Sequence, residues 1–229
     1  MNIIINGGTK GIGRETVIKL AQIPGSRLLV TGRDSAQLGS LAEMHPNVSP
    51  LVFDLSEFDM YSGNLVNMIS SEFRTIDIMI NMAGLLISKS FMEITEKESR
   101  SILETNFFGP ASVIRLVKPF LIRGAHIVNI SSMGGFQGSA KYNGLAYYSA
   151  AKAAIACLTE CLAVEFSDDG ISVNCLALGS VQTEMLAAAF PGYKAPVTAA
   201  EMGEFIADFA LRGHKVFNGK ILPVAVTNP

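Results

Sequence analysis

Apolar runs of four to six residues alternate along this chain with longer stretches in which apolar positions recur at helical spacing. Asn2 to Asn6 reads as a strand, and Ile12 to Gln22 as a helix with apolar positions at Val17, Ile18 and Leu20. The pattern then predicts a strand over Arg27 to Thr31, a short helix over Gln37 to Glu43, and strands over Val48 to Phe53 and Ile76 to Asn81 with a helix around Met60 to Ser71 between them. A long helix is expected from about Glu96 to Pro119, a strand over His126 to Ile130, and a second long helix over Tyr148 to Phe166. Ile171 to Leu176, a helix over Ala199 to Leu211 and a strand over Lys220 to Val224 complete the series. Short apolar strands alternating with helices signal a mostly parallel sheet covered on both faces. Right-handed crossovers then give a doubly wound sheet of seven strands, with its ligand crevice at the carboxyl ends of the strands.

No linker, internal repeat or low-complexity tract interrupts the 229 residues, which read as one domain over 1–229. Two non-periodic stretches, Met133 to Ala146 and Ala187 to Val197, follow strands and belong at the ligand-binding edge. Hydrophobic residues make up 49% and charged residues 17%, which describes a well-buried globular chain. A net charge of -2 carries no clustered basic excess, so no nucleic-acid partner is expected. No apolar segment reaches the length of a membrane span, and no cleavable leader precedes the first strand, so a soluble, cytoplasmic protein is expected. Three cysteines do not make a disulfide framework. Cys157 and Cys161, at i and i+4, invite a metal reading, but nothing nearby completes a site and they read as packing residues, so no metal is expected. His45, His126 and His214 are scattered and pair with nothing.

Chemistry first shows between the first strand and the first helix, in Asn6-Gly7-Gly8-Thr9-Lys10-Gly11-Ile12-Gly13. Glycines there let the backbone approach a pyrophosphate, while the helix N-terminus turns amides toward it. The spacing is Gly7-x3-Gly11-x-Gly13 rather than G-x-G-x-x-G, and its strand-turn-helix context makes it a Rossmann-type dinucleotide loop. The second strand ends Thr31-Gly32-Arg33-Asp34. Arg33, with Lys10 as a second cation, suits a 2′-phosphate, so NADP(H) is favoured over NAD(H), and Asp34 is the rival that would favour NAD.

Tyr148 and Lys152 stand one helical turn apart, so phenol and ammonium share a face. An unperturbed phenol has a pKa of about 10, and lowering it by two to three units takes roughly 3–4 kcal/mol. A cation about 4 Å away supplies on the order of 4 kcal/mol at an effective dielectric of about 20. One lysine is therefore expected to tune the phenol to general acid–base work.

Taken with Asn81-Met82-Ala83-Gly84, Thr105-Asn106-Phe107-Phe108-Gly109, Ile130-Ser131-Ser132 and Tyr148-x3-Lys152, the glycine loop makes the chain resemble the single-domain branch of the short-chain dehydrogenase/reductase family over essentially its whole length. The resemblance implies an NADP(H)-dependent oxidoreductase acting on a carbonyl or alcohol, possibilities including a 3-oxoacyl thioester. It implies a catalytic set of Asn106, Ser132, Tyr148 and Lys152. Tyr148 would exchange the proton, Lys152 would lower its pKa and hold the nicotinamide ribose, Ser132 would bond the substrate oxygen, and Asn106 would anchor a water linking Lys152 to solvent. Cofactor contacts are implied at Gly7, Thr9, Lys10, Gly11, Ile12, Gly13 and Arg33. Asp54 would meet the adenine amino group beside Leu55, and Asn81, Ala83, Gly84, Gly179, Val181 and Thr183 would line the rest. A homodimer or homotetramer through the two long helices is also implied.

The chain departs from the family pattern in four places. Asn6 replaces a Thr, Met82 an Asn, and Leu178 a Pro, while Ser132 and Tyr148 stand 16 positions apart, which enlarges the intervening loop and leaves Ser131 a rival hydroxyl. The Glu184 to Val197 segment is short for a substrate lid, and its Met185, Leu186, Phe190 and Tyr193 favour an apolar substrate. A dinucleotide-binding regulator or scaffold of the same fold is the competing function; the complete catalytic set argues against it. An epimerase or dehydratase of the larger relatives lacks its second domain here.

Overall fold

Ile3, Ile4 and Ile5 are β-branched on both sides of one strand, and none keeps any surface exposed to water. Such runs fit a parallel sheet covered on both faces, and that is what the chain forms. The structure, a computed structural model, describes residues 1–226. One sheet contains β1 (Asn2–Asn6), β2 (Arg27–Gly32), β3 (Val48–Val52), β4 (Ile76–Asn81), β5 (Leu121–Ser132), β6 (Ser172–Leu178) and, last in the chain, β9 (Ile221–Val224). Their order is β3-β2-β1-β4-β5-β6-β9, and every neighbouring pair is parallel. A separate ribbon pairs the two-residue strands β7 (Val181–Gln182) and β8 (Val197–Thr198).

Alternation along each strand sends successive side chains to two cores. Ile3, Ile5, Val30, Ile80 and Val128 pack under α1 (Gly11–Ala21), α2 (Ser35–Met44) and α8 (Ala199–Arg212). Ile4, Leu29, Met79 and Ile127 pack under α3 (Phe58–Met68), α5 (Gly109–Val117) and α6 (Ala146–Glu165). The strand order reverses at β1, which pairs with β2 on one side and β4 on the other. Connections leave that point in opposite directions, so the crevice opens beyond the carboxyl ends of β1 and β4.

The expected long helix is not continuous. α4 (Glu96–Leu103) passes through a π-helical turn at Glu104–Phe108 before α5 begins. Apolar periodicity runs through this insertion and does not register the extra residue. The Ala187 to Val197 stretch also holds more order than its irregular pattern implies, because α7 (Glu184–Ala189), capped by Thr183 accepting from Leu186 N, ends inside it.

Two histidines pair after all. His126 is fully buried, with its ring centroid 5.3 Å from that of His214. Asn174 Nδ2 donates to His126 Nε2 (3.1 Å), so Nδ1 carries the proton it donates to Ala210 O (2.9 Å). Burial pushes His126 down to about 4, a smaller part coming from His214. The cysteines also depart from expectation: Cys157 and Cys161 lie exposed on α6, and only Cys175 is buried. Helical spacing tells that two thiols share a face, not which way the face turns.

Candidate active site

The glycine loop closes against the end of β4. Gly7 holds φ +90, and a Cβ on it would stand 2.5 Å from Ala83 N. A Cβ on Gly13 would fall 2.0 Å from Gly7 O. Gly11, at φ +51, would meet nothing nearer than Thr183 Cγ2 at 3.4 Å, so this side of the loop faces open space. Lys10 precedes α1 without giving it a side-chain cap, which leaves the first amides of the helix to the cleft. These features fit a pyrophosphate. The cleft has a volume of about 580 Å³ and runs from this loop to Tyr148 and Lys152.

Lys10 and Arg33 line its far end. Each meets a carboxylate, Lys10 with Asp34 at 3.6 Å and Arg33 with Asp54 at 3.9 Å. Asp34 also caps α2 by accepting from Gln37 N (3.1 Å), and among the described residues it is not part of the lining. Asp54 lines the cleft but uses Oδ1 to accept from Ser56 N and Oγ, which begins the turn carrying Leu55.

At the other end, Tyr148 sits in the first turn of α6 and lines the cleft together with Ser132. Ser132 Oγ also accepts from Gly134 N (3.1 Å). The rival Ser131 is buried and donates to Lys152 O (2.6 Å), so Ser132 is the hydroxyl that meets the phenol. Lys152 is buried and donates from Nζ to Ile130 O (3.0 Å), with Nζ 5.8 Å from the Tyr148 ring centroid. The expectation that this lysine alone lowers the phenol is not met. Burial pushes Tyr148 up to about 12 against the opposing hydrogen bond from Ser132, and burial also lowers Lys152 to about 8. Burial outweighs what opposes it at the phenol, and the Lys152 ammonium is itself desolvated.

Asn106 lies in the π turn. Its Nδ2 donates to Leu85 O (2.8 Å) and Ile102 O (2.8 Å), and its Oδ1 accepts from Leu85 N (3.3 Å). A Cβ on Gly84 would come within 3.1 Å of Asn106 Oδ1 and 3.5 Å of Lys152 Nζ, so glycine lets amide and ammonium approach one small space. Asn81 is turned elsewhere: its side chain accepts from Asn6 and donates to Asn129 inside the sheet. Apart from Asn81 and Asn106, every site residue expected from the sequence lines the cleft, Gly179, Val181 and Thr183 included.

Met185, Leu186, Phe190 and Tyr193 line the substrate end as expected, joined by Leu86, Leu145 and Tyr142, which the motifs did not indicate. Tyr142 meets Phe190 edge-on at 6.4 Å. Gly135 was also missed. A Cβ on it would stand 2.6 Å from both Ala153 N and Lys152 C, so only glycine lets the turn after β5 rest on α6.

A family model described as short chain dehydrogenase matches residues 1–194. The 3-oxoacyl-(acyl-carrier-protein) reductase of Chlamydia trachomatis is 31% identical over 96% of this chain and 94% of that protein. A protein of the same name from Aquifex aeolicus is 32% identical over 80% of this chain and 75% of its own length. Among solved structures, a short-chain dehydrogenase/reductase from Brucella melitensis superposes with a TM-score of 0.87 at 22% identity, covering 97% of this chain and 94% of that one. A short chain dehydrogenase from Burkholderia cenocepacia in complex with NADP gives 0.85 at 22%, covering 97% and 95%. With its sheet order, glycine loop and Ser132–Tyr148–Lys152 grouping, the chain belongs to the short-chain dehydrogenase/reductase family of oxidoreductases.

Proposed function

We propose that this protein reduces a ketone with NADPH, with 3-oxoacyl compounds as the leading substrate class and Tyr148 as proton donor. The observation that carries the reading is that Ser132, Tyr148 and Lys152 line one end of a cleft whose other end is the glycine loop. The names of the Chlamydia and Aquifex relatives support the substrate class. Lys10 and Arg33 in the lining, with Asp34 committed to a helix cap, support a 2′-phosphate, as does the NADP carried by the Burkholderia structure.

A nicotinamide dinucleotide held by the glycine loop, Ala83, Gly84 and Thr183 would supply hydride to the carbonyl carbon. The chain's residues do the rest. Ser132 donates its hydroxyl hydrogen to the carbonyl oxygen and stabilises the charge that grows there. Tyr148 gives its proton to the same oxygen, so the product leaves as an alcohol. The phenol is neutral at ordinary pH, as a donor must be. The phenolate left behind lies in the first turn of α6, where the helix terminus favours negative charge. Lys152 would return a proton to the phenolate, resupplied from solvent through a water anchored at Asn106 beside Gly84.

NADPH and NADH binding, with turnover over a panel of carbonyls, tests this in the parent and in Tyr148→Phe. The variant should lose at least about a hundredfold in kcat with NADPH affinity unchanged. Equal turnover overturns the mechanism, and tighter NADH binding overturns the cofactor assignment. The three free thiols suit a reducing, cytoplasmic compartment. The exposed small residues Ala146, Ala150 and Ala153 along α6 suit close helix packing in a homodimer or homotetramer; a monomeric mass by light scattering at micromolar concentration would count against it.

A further inference from the structure

The substitution of Asn for Thr at position 6 has a structural counterpart. Thr31, Asn6, Asn81 and Asn129 occupy the same register on four adjacent strands, β2, β1, β4 and β5. Their side chains bond in sequence: Thr31 Oγ1 donates to Asn6 Oδ1 (2.9 Å), Asn6 Nδ2 to Asn81 Oδ1 (2.7 Å), and Asn81 Nδ2 to Asn129 Oδ1 (2.8 Å). Asn129 Nδ2 then donates to Thr159 Oγ1 on α6 (2.9 Å), and Thr159 donates to Ile155 O (2.9 Å). All five side chains are buried, Asn129 and Thr159 completely. Every donor points the same way, from β2 toward α6, so each bond polarises the next.

The rungs lie directly beneath the site. Gly7 follows Asn6, Gly32 and Arg33 follow Thr31, Ala83 and Gly84 stand just beyond Asn81, and Ser132 ends the strand that holds Asn129. Thr159 is two helical turns beyond Lys152 on α6. Cys175 lies beside both Thr159 and Ser131, and Ser131 donates to Lys152 O. Apolar side chains would pack this layer without directional preference. A head-to-tail amide row instead fixes the register of three strands and the rotation of α6 about its axis.

We propose that Thr31, Asn6, Asn81, Asn129 and Thr159 act as one positioning device, coupling the dinucleotide loop to the helix that carries Tyr148 and Lys152. The proposal uses the catalytic reading of those two residues only for what the row positions. Its strand rungs alone, Thr31 to Asn129, span three strand spacings, roughly 14 Å, with Thr159 on α6 beyond the last of them, a distance at which substitutions ordinarily act independently.

The test is a double-mutant cycle in the full-length protein, measured with NADPH well below the melting temperatures. Thr159→Val keeps the shape and removes the hydroxyl. It should lower kcat about tenfold with the carbonyl KM within about twofold, and Thr159→Ser should restore most of the loss. Thr31→Val should weaken NADPH binding. The double variant should fall short of the product of the two single effects, because a row already broken at one end has less to lose at the other. Strict additivity, a parental kcat in Thr159→Val, or a deficit that Thr159→Ser leaves untouched would overturn the device. If the parent reduces no carbonyl, only the functional reading fails. NADPH affinity and hydrogen exchange over 146–155 then read the same cycle, with the same non-additivity required.

Discussion

Gly135 brings no functional group to the cleft, yet the turn after Ser132 rests on the helix of Tyr148 because it has no side chain. Its methyl-free face rests against Lys152 and Ala153 of α6, three positions beyond Ser132. Gly135→Ala puts a carbon 2.6 Å from backbone atoms that cannot rotate away. The turn and the helix must then part, and with them Ser132 and Tyr148. Overpacking of this kind costs about 1–3 kcal/mol. The expected result is a lowered melting temperature together with a fall in kcat larger than the change in NADPH affinity. Thermal unfolding and steady-state rates on one preparation check both. Sequence alone leads to Tyr148 and Lys152 because their relation is local, one turn of one helix. It does not lead to Gly135, whose reason lies 17 positions away, or to Asn129 and Thr159, which bond across 30. The burial that raises the Tyr148 phenol is equally invisible in a local spacing, because the folded chain creates it.

Secondary elements were legible in kind and less so in their interruptions. α4 and α8 begin at Glu96 and Ala199 as expected, each held by a capping box, Thr95 with Glu98 and Thr198 with Glu201. The π turn between α4 and α5 was hidden, because a wide apolar stripe tolerates one inserted residue. That residue matters: it turns Asn106 onto Leu85 and lets Gly109 seat against Leu55, where a Cβ would come within 2.6 Å. Asn106→Ala strips partners from Leu85 N, Leu85 O and Ile102 O. A loss of about 1–3 kcal/mol follows from leaving buried polar groups unpaired, and urea denaturation measures it. The segment after β4 is freed at the same time, so kcat should fall with the stability, whereas a change confined to the urea midpoint would make Asn106 a clamp only.

On the scale of the whole molecule, the crossover pattern was readable from strand and helix order, and the sheet reverses at β1 as a doubly wound fold requires. The imidazole pair was not readable, because β5 and the segment after α8 meet only in the folded chain. His126 titrates near 4 when folded and near 6.5 when unfolded. Between those values the unfolded chain takes up the proton and the native chain does not, so acidification favours unfolding. The contribution, about 3 kcal/mol, is complete above pH 6.5 and is lost as pH falls toward 4. Urea midpoints at pH 7.5 and 5 should therefore differ in the parent and converge in His126→Gln.

His126 also lies midway along β5, six positions or about 20 Å from Ser132 at the usual strand rise, with His214 beside it. The groups that would govern turnover titrate only in alkaline solution, Lys152 near 8 and Tyr148 near 12. A rate profile across pH would then have two limbs of different nature: the alkaline one a change of chemistry in an intact enzyme, the acid one a fall in the number of intact enzymes. A protecting osmolyte would shift the acid limb and leave the alkaline limb where it stands.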